Sequence, residues 1–154
     1  MRVTERVVQA ALMSWAMNEK RHVLVLPNST DFFRWEADLV TVTRAGLTHE
    51  YEIKCSPADY RRDALKTARH KSIKVGRGAC YFWYVTHGFE IEPPEHAGWM
   101  TVEAARGRLT VVERKPAPRF DGLRIVAKDY ERVARLLSWR LTNYYRRFEQ
   151  GEAR

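Results

Sequence analysis

Glu36-Ala37-Asp38-Leu39-Val40-Thr41-Val42-Thr43, the joint Arg44-Ala45-Gly46-Leu47, and Thr48-His49-Glu50-Tyr51-Glu52-Ile53-Lys54-Cys55 decide how this chain folds. Both eight-residue runs alternate polar and apolar side chains, the period of a half-buried strand. The joint is short and contains glycine, which suits a hairpin turn. Residues two apart on a strand share a face at roughly 6 to 7 Å. Glu50, Glu52 and Lys54 therefore point one way, and Tyr51, Ile53 and Cys55 the other. If the hairpin pairs in register, Asp38 comes near Glu52, with carboxylates within about 6 Å and the Lys54 amine beside them.

Two carboxylates and a lysine on one patch make a poor structural surface and a good site for a hard cation. Mg2+ takes one or two carboxylates and completes its shell with waters and substrate phosphates. A lysine two residues after the second carboxylate can position a water or stabilise charge growing on a phosphate. Immediately downstream, Ser56-Pro57-Ala58-Asp59 is a helix start, with Ser at N-cap, Pro at N1 and Asp at N3. A Glu-x-Lys on a strand is by itself usually a solvated face; the elements around this one give it weight.

Asp38, a turn, then Glu52-Ile53-Lys54 on a strand that leads into a helix resembles the signature of the PD-(D/E)XK, or restriction-endonuclease-like, nuclease superfamily. Ala37 stands where that signature has proline, a position that varies widely in the superfamily. The resemblance implies an α/β fold with an α-β-β-β-α-β core over residues 4–86 and a mixed central sheet. It implies Mg2+, or Mn2+, held at Asp38, Glu52 and Ile53, and Lys54 serving the attacking water. It also implies a glutamate from the first helix facing the metal, with Glu5 the first choice and Glu19 the second. An exposed first-turn glutamate favoured by the helix dipole is the plain alternative for Glu5. The wider stretch from Pro27-Asn28 through His70-Lys71 is similar to small, mostly uncharacterised bacterial and phage members of the superfamily.

From Pro57 to about Ser72 the spacing predicts one helix, with Tyr60, Ala64, Thr67 and Ala68 as its buried face. Between Lys54 and Arg77 there are eight Lys or Arg against two acids, Asp59 and Asp63. So one-sided a run reads as phosphate contact. Arg61, Arg62, Lys66, Arg69, Lys71 and Lys74 are the expected DNA-binding residues. His70 is expected either to join them or to cap the helix.

The chain has 154 residues, 45% of them hydrophobic, a net charge of +8 and a pI near 9.8. That length and apolar content fit one folded domain over 1–154. The basic excess fits a polyanionic partner. No run of 18 apolar residues is present, so no membrane span is expected. No signal peptide is visible, and Cys55 and Cys80 read as reduced core thiols of a cytoplasmic protein.

Taken in order, Val7, Val8, Ala11, Leu12 and Trp15 predict an amphipathic helix over 4–18. Val23-Leu24-Val25-Leu26 predicts a buried strand closed by Pro27-Asn28. Phe32, Phe33, Arg34 and Trp35 lie in a loop that covers a core edge in preference to stacking on bases. Residues 79–86 read as a central strand, and 98–102 and 108–112 as two more, joined at Arg106-Gly107. Asp129 is expected to cap a last helix whose Tyr130, Val133, Leu137, Leu141, Tyr144 and Phe148 stripe packs into the core. Its arginines extend a nucleic-acid surface or assist a homodimer, and the tail from Glu149 frays. The expected activity is Mg2+-dependent hydrolysis of DNA phosphodiesters. The alternative is a nucleic-acid-binding or partner-binding module on the same fold that cleaves little or nothing.

Overall fold

The apolar stripe of the first helix, α1 (Glu5–Asn18), lies on one face of a six-stranded sheet. The computed structural model describes residues 3–105 and 107–151; Arg106, in the expected turn, and residues 152–154 of the expected tail lie outside the described residues. Sequence reads as one domain, whereas the chain divides into two compact units, Met1–Arg124 and Ile125–Arg154. The first is an α/β unit with a mixed sheet and the second carries the C-terminal helix.

The sheet runs β1 (Leu24–Ser29), β2 (Ala37–Val42), β3 (Thr48–Lys54), β4 (Tyr81–Thr86), β5 (Gly98–Ala105) and β6 (Arg108–Lys115), in that spatial order. β1, β2 and β3 form an antiparallel meander. β4 lies parallel to β3, β5 parallel to β4, and β6 returns antiparallel. Gly46, at φ +80°, turns the β2–β3 hairpin, where a side chain would be strained. β1 does not close at Pro27: it continues to Ser29. Proline is tolerated there because β1 is an edge strand, with no ladder partner on its outer side.

Val8, Leu12, Trp15 and Ala16 of α1 pack on Leu39, Tyr51, Ile53, Trp83, Val85, Met100 and Val102. Truncating a side chain as enclosed as Leu12 costs about 2–5 kcal/mol. The opposite face of the sheet is covered by the 30–36 loop and by two helices, α2 (Pro57–Asp63) and α3 (Thr67–Lys74). Phe33 and Trp35 stack at 5.5 Å and cover that core edge.

One helix over 57–72 was expected, and the chain makes two. Ser56 caps α2 by accepting from the Asp59 N–H at 3.2 Å, as its sequence requires. The helix then stops at Asp63, and α3 begins at Thr67. The break overturns the expected buried face: Ala64, Thr67 and Ala68 are exposed, and Asp63, Arg69 and Ile73 are buried instead. Polar pairing decides this, because Asp63 and Arg69 are drawn inward by charges on β3.

In the second unit, a 3₁₀ turn at Ala127–Asp129 leads into α4 (Tyr130–Glu149). Asp129 does not cap α4 with its side chain; its carboxylate accepts from the Val126 N–H at 2.9 Å. Of the stripe expected in the core, Val133 is buried, whereas Tyr130, Leu137, Leu141, Tyr144 and Phe148 are exposed. A unit of one helix has no second layer against which to bury such a stripe.

Candidate active site

β3 builds the site. Tyr51 and Ile53 join the α1-side core, so alternation turns Glu50, Glu52 and Lys54 to the other face. There all three are buried, Glu50 completely. Buried charges persist only when paired and hydrogen-bonded, and the two helices supply the partners. Lys54 Nζ donates to Glu52 Oε1 at 2.7 Å and lies 3.4 Å from Asp63 Oδ1. Arg69 Nη2 donates to Glu52 Oε2 at 2.6 Å and also to Glu50 Oε1. Lys66 Nζ reaches Asp63 at 2.9 Å and Glu52 at 3.4 Å. Trp35 Nε1 donates to Glu50 at 2.7 Å. Three acids and three bases thus interlock between β3 and the broken helix.

Each charge state has a visible cause. Burial works against the Lys54 ammonium, but Glu52 and Asp63 outweigh it, and its pKa stands above the ordinary lysine value. Lys54 is therefore a hydrogen-bond donor and a positive charge in the metal-free protein. Burial raises Asp63, yet hydrogen bonds from His70, Tyr84 and Lys66 and the charge of Lys54 hold it well below the usual carboxylate range. Burial pushes Glu50 up, with Arg69 and Trp35 pulling the other way.

Asp38 is different. The register that pairs Leu39 with Tyr51 places Asp38 opposite Glu52. Its Oδ2 accepts from the Ile53 N–H at 2.7 Å, in place of a ladder bond. Gln9 of α1 donates to the Asp38 carbonyl at 2.6 Å and to Asn28 at 3.0 Å, tying the helix to the ends of β1 and β2. Burial, then repulsion from Glu52 and from Glu5, push the Asp38 carboxyl up to about 7; the Ile53 bond and Lys54 offset only part of this. The same acids, Glu5 and Asp38, help raise the Cys55 thiol, after burial. Asp38 itself is thus half-buried beside two other acids, its side chain held by the Ile53 N–H.

Among the described residues, no group of three or more His, Cys, Asp or Glu side chains is arranged to hold a metal ion by itself. Mg2+ does not require one, since it keeps several waters and takes one or two carboxylates. Asp38 has Glu52 opposite it, and Glu5 at the start of α1 is near enough to act on its charge. Glu19 is placed elsewhere: it is the C-cap of α1, 14 residues and so about 20 Å from Glu5.

The expected DNA-binding residues separate into two sets. Arg61, Arg62, Lys71 and Lys74 are exposed, with the Arg62 side chain 76% accessible. Arg69 is not on that surface: it is buried between Glu50 and Glu52, and faces Trp35 and Phe82. Lys66 is half exposed and engaged with Asp63 and Glu52. His70 is held by Asp63, Tyr84 and His96, and its Nε2 lies 3.1 Å from the Asp63 carbonyl at the end of α2, so of its two expected roles it is the helix cap that the contacts match, on the shorter helix. Cys55 also departs from expectation, being exposed just beyond β3, while Cys80 is buried. In sequence Asp63 figures only as one of two acids in the basic run, and Tyr84 and Gln9 carry no site assignment.

No family model matches the chain, and no curated protein matches it. Among solved structures, a protein of unknown function from Silicibacter pomeroyi is similar in fold, with a TM-score of 0.64 at 12% identity. The alignment covers 100% of this chain and 97% of that one. Within the described residues no helix is long and apolar enough to cross a membrane.

Proposed function

We propose that the chain is a metal-dependent nuclease of restriction-endonuclease-like fold that hydrolyses DNA phosphodiester bonds. The observation that carries this is geometric: Asp38 stands opposite Glu52 across the β2–β3 pair with its carboxylate on the Ile53 N–H, and the buried Lys54 amine lies 2.7 Å from Glu52 and 3.4 Å from Asp63. An α1-β1-β2-β3 order, a helical segment, then β4 parallel to β3 supports the fold assignment.

Asp38 and Glu52, with Ile53 beside them, would hold Mg2+ or Mn2+. When bound, the cation supplies Lewis-acid stabilisation of charge on the phosphoryl oxygens. The protein's own groups do the rest. Lys54 donates to the attacking water or to a phosphoryl oxygen and orients it for in-line attack. Glu52 and Asp63 fix the Lys54 amine, so little reorganisation is needed as charge develops. Arg61, Arg62, Lys71 and Lys74 supply exposed positive charge for the backbone of the substrate.

Glu52 favours a second reading. Both its oxygens are taken by Lys54, Lys66 and Arg69, and a carboxylate so engaged yields poorly to a metal. On that basis the alternative is a DNA-binding module that keeps the scaffold without cleavage. Incubation with linear, nicked, branched and single-stranded DNA in Mg2+, Mn2+ or EDTA separates them. A nuclease cleaves at least one form with metal, and Lys54→Ala slows it by about 10²- to 10³-fold. Binding without metal-dependent cleavage of any form, with Lys54→Ala unchanged, decides for the module.

A further inference from the structure

Beside the ion cluster lies a cavity of about 440 Å3, lined by Tyr60, Tyr84, His70, His96, Lys71 and Lys74 among others. Pockets of this size hold a nucleoside or a drug-sized molecule. Four of its lining side chains are aromatic rings. Tyr60 and Tyr84 meet edge to face at 5.0 Å, and His70 and His96 cross at 5.0 Å. The ring positions are secured from behind. Tyr84 donates to Asp63 Oδ2 at 2.6 Å, Tyr60 to the Glu92 carbonyl at 2.9 Å, and His70 Nδ1 pairs with His96 Nε2 at 3.0 Å. Lys71 and Lys74, both exposed, bring positive charge, and the only acidic lining residue, Glu92, is also exposed.

Position adds to chemistry. Asp63 is shared: one oxygen takes the Tyr84 hydroxyl of the pocket wall, and the other lies against Lys54 and Lys66. The cavity is thus one carboxylate away from the lysine assigned to the water.

We infer that this cavity receives an unpaired nucleotide of the substrate strand, its base against the half-buried Tyr60 ring and the edge of His96, with buried Tyr84 forming the floor, and its phosphate toward Lys71 and Lys74. Aromatic walls suit any base, since every base has a π-face. A base inside a duplex has both faces occupied by its neighbours, so only an unpaired or extruded one can enter. Glu92 repels phosphate from its own side and leaves the lysines as the phosphate end. The inference rests on reading the adjoining cluster as a phosphodiester-cleaving site.

The test measures binding in EDTA, apart from cleavage. A labelled 12-nucleotide single strand, the same strand with abasic residues throughout, a duplex, and free dAMP are compared by anisotropy across a salt series. The intact strand should bind roughly 10-fold more tightly than the abasic one, as base stacking on aromatics does elsewhere. Ala64→Trp, which fills the cavity from an exposed position, should erase that difference with its thermal melt unchanged. Lys74→Glu should lower the slope of log K against log salt by about 0.7 or more. Equal affinity for intact and abasic strands, or an unaltered difference in Ala64→Trp, overturns the inference. So does dAMP that binds as tightly as the strand, which marks a free-nucleotide pocket. Metal-dependent cleavage alongside a failed base effect leaves the nuclease standing; a base effect without cleavage leaves the pocket standing.

Discussion

Replacing Asp38 by Asn should make the metal-free protein more stable at alkaline pH while removing its response to Mg2+. The Asp38 carboxyl is raised from 3.8 to about 7, first by burial and then by Glu52 and Glu5. Such a group favours the fold only while protonated: its contribution is complete below 3.8 and is lost as pH rises through about 7. The gap is roughly 3 units at about 1.4 kcal/mol each, so ionisation costs the fold at most about 4 kcal/mol. Asp38 retains partial solvent contact, and screening brings the expected figure to about 2 kcal/mol. Asparagine keeps an oxygen for the Ile53 N–H and carries no charge. At pH 8 in EDTA, Asp38→Asn should therefore melt about 4–8 °C above wild type, and the gain should shrink by more than half at pH 5. Adding millimolar Mg2+ at pH 8 should raise the wild-type melt by mass action and leave Asp38→Asn unmoved. A variant that melts lower than wild type at pH 8, or that responds to Mg2+ as wild type does, refutes the picture of an acidic site short of a cation.

Glu52→Gln should suppress cleavage, but it will not leave the fold untouched: Lys54, Lys66 and Arg69 all lean on that carboxylate, and its loss should cost about 3–5 kcal/mol by urea unfolding. Arg69→Met leaves Glu50 and Glu52 without their main counterion; a similar loss of stability is expected, and a stable variant with weakened DNA binding would return Arg69 to the surface. Arg62→Glu, at a 76% exposed side chain, should change stability by less than about 0.5 kcal/mol while reducing the salt slope of DNA affinity by at least about 0.9 for duplex. An unchanged slope assigns that face to solvent.

Much of this molecule is decided within a few residues. A period of two fixes which side chains of β3 share a face, and it placed Glu50, Glu52 and Lys54 together before any fold was known. Gly46 supplies the turn that sets Asp38 opposite Glu52, and Ser56 with Pro57 starts α2; each is a local matter of backbone conformation and capping. The basic run after Lys54 misled for the opposite reason. As a string, Arg61, Arg62, Lys66 and Arg69 are alike, and their fate depends on acids up to 19 residues away. Breaking the helix at Asp63 costs backbone hydrogen bonds, and the pairing of Asp63 with Lys54 and of Arg69 with Glu50 and Glu52 offsets that cost. Arg69 turns in to meet them while Arg62 stays out. The value of Asp38 near 7 is likewise tertiary, since it arises from desolvation and from charges on β3 and α1. Periodicity assigns faces, because it is geometry along one strand. Pairing and burial of charge belong to the assembled layers, because they depend on distances that no single segment contains.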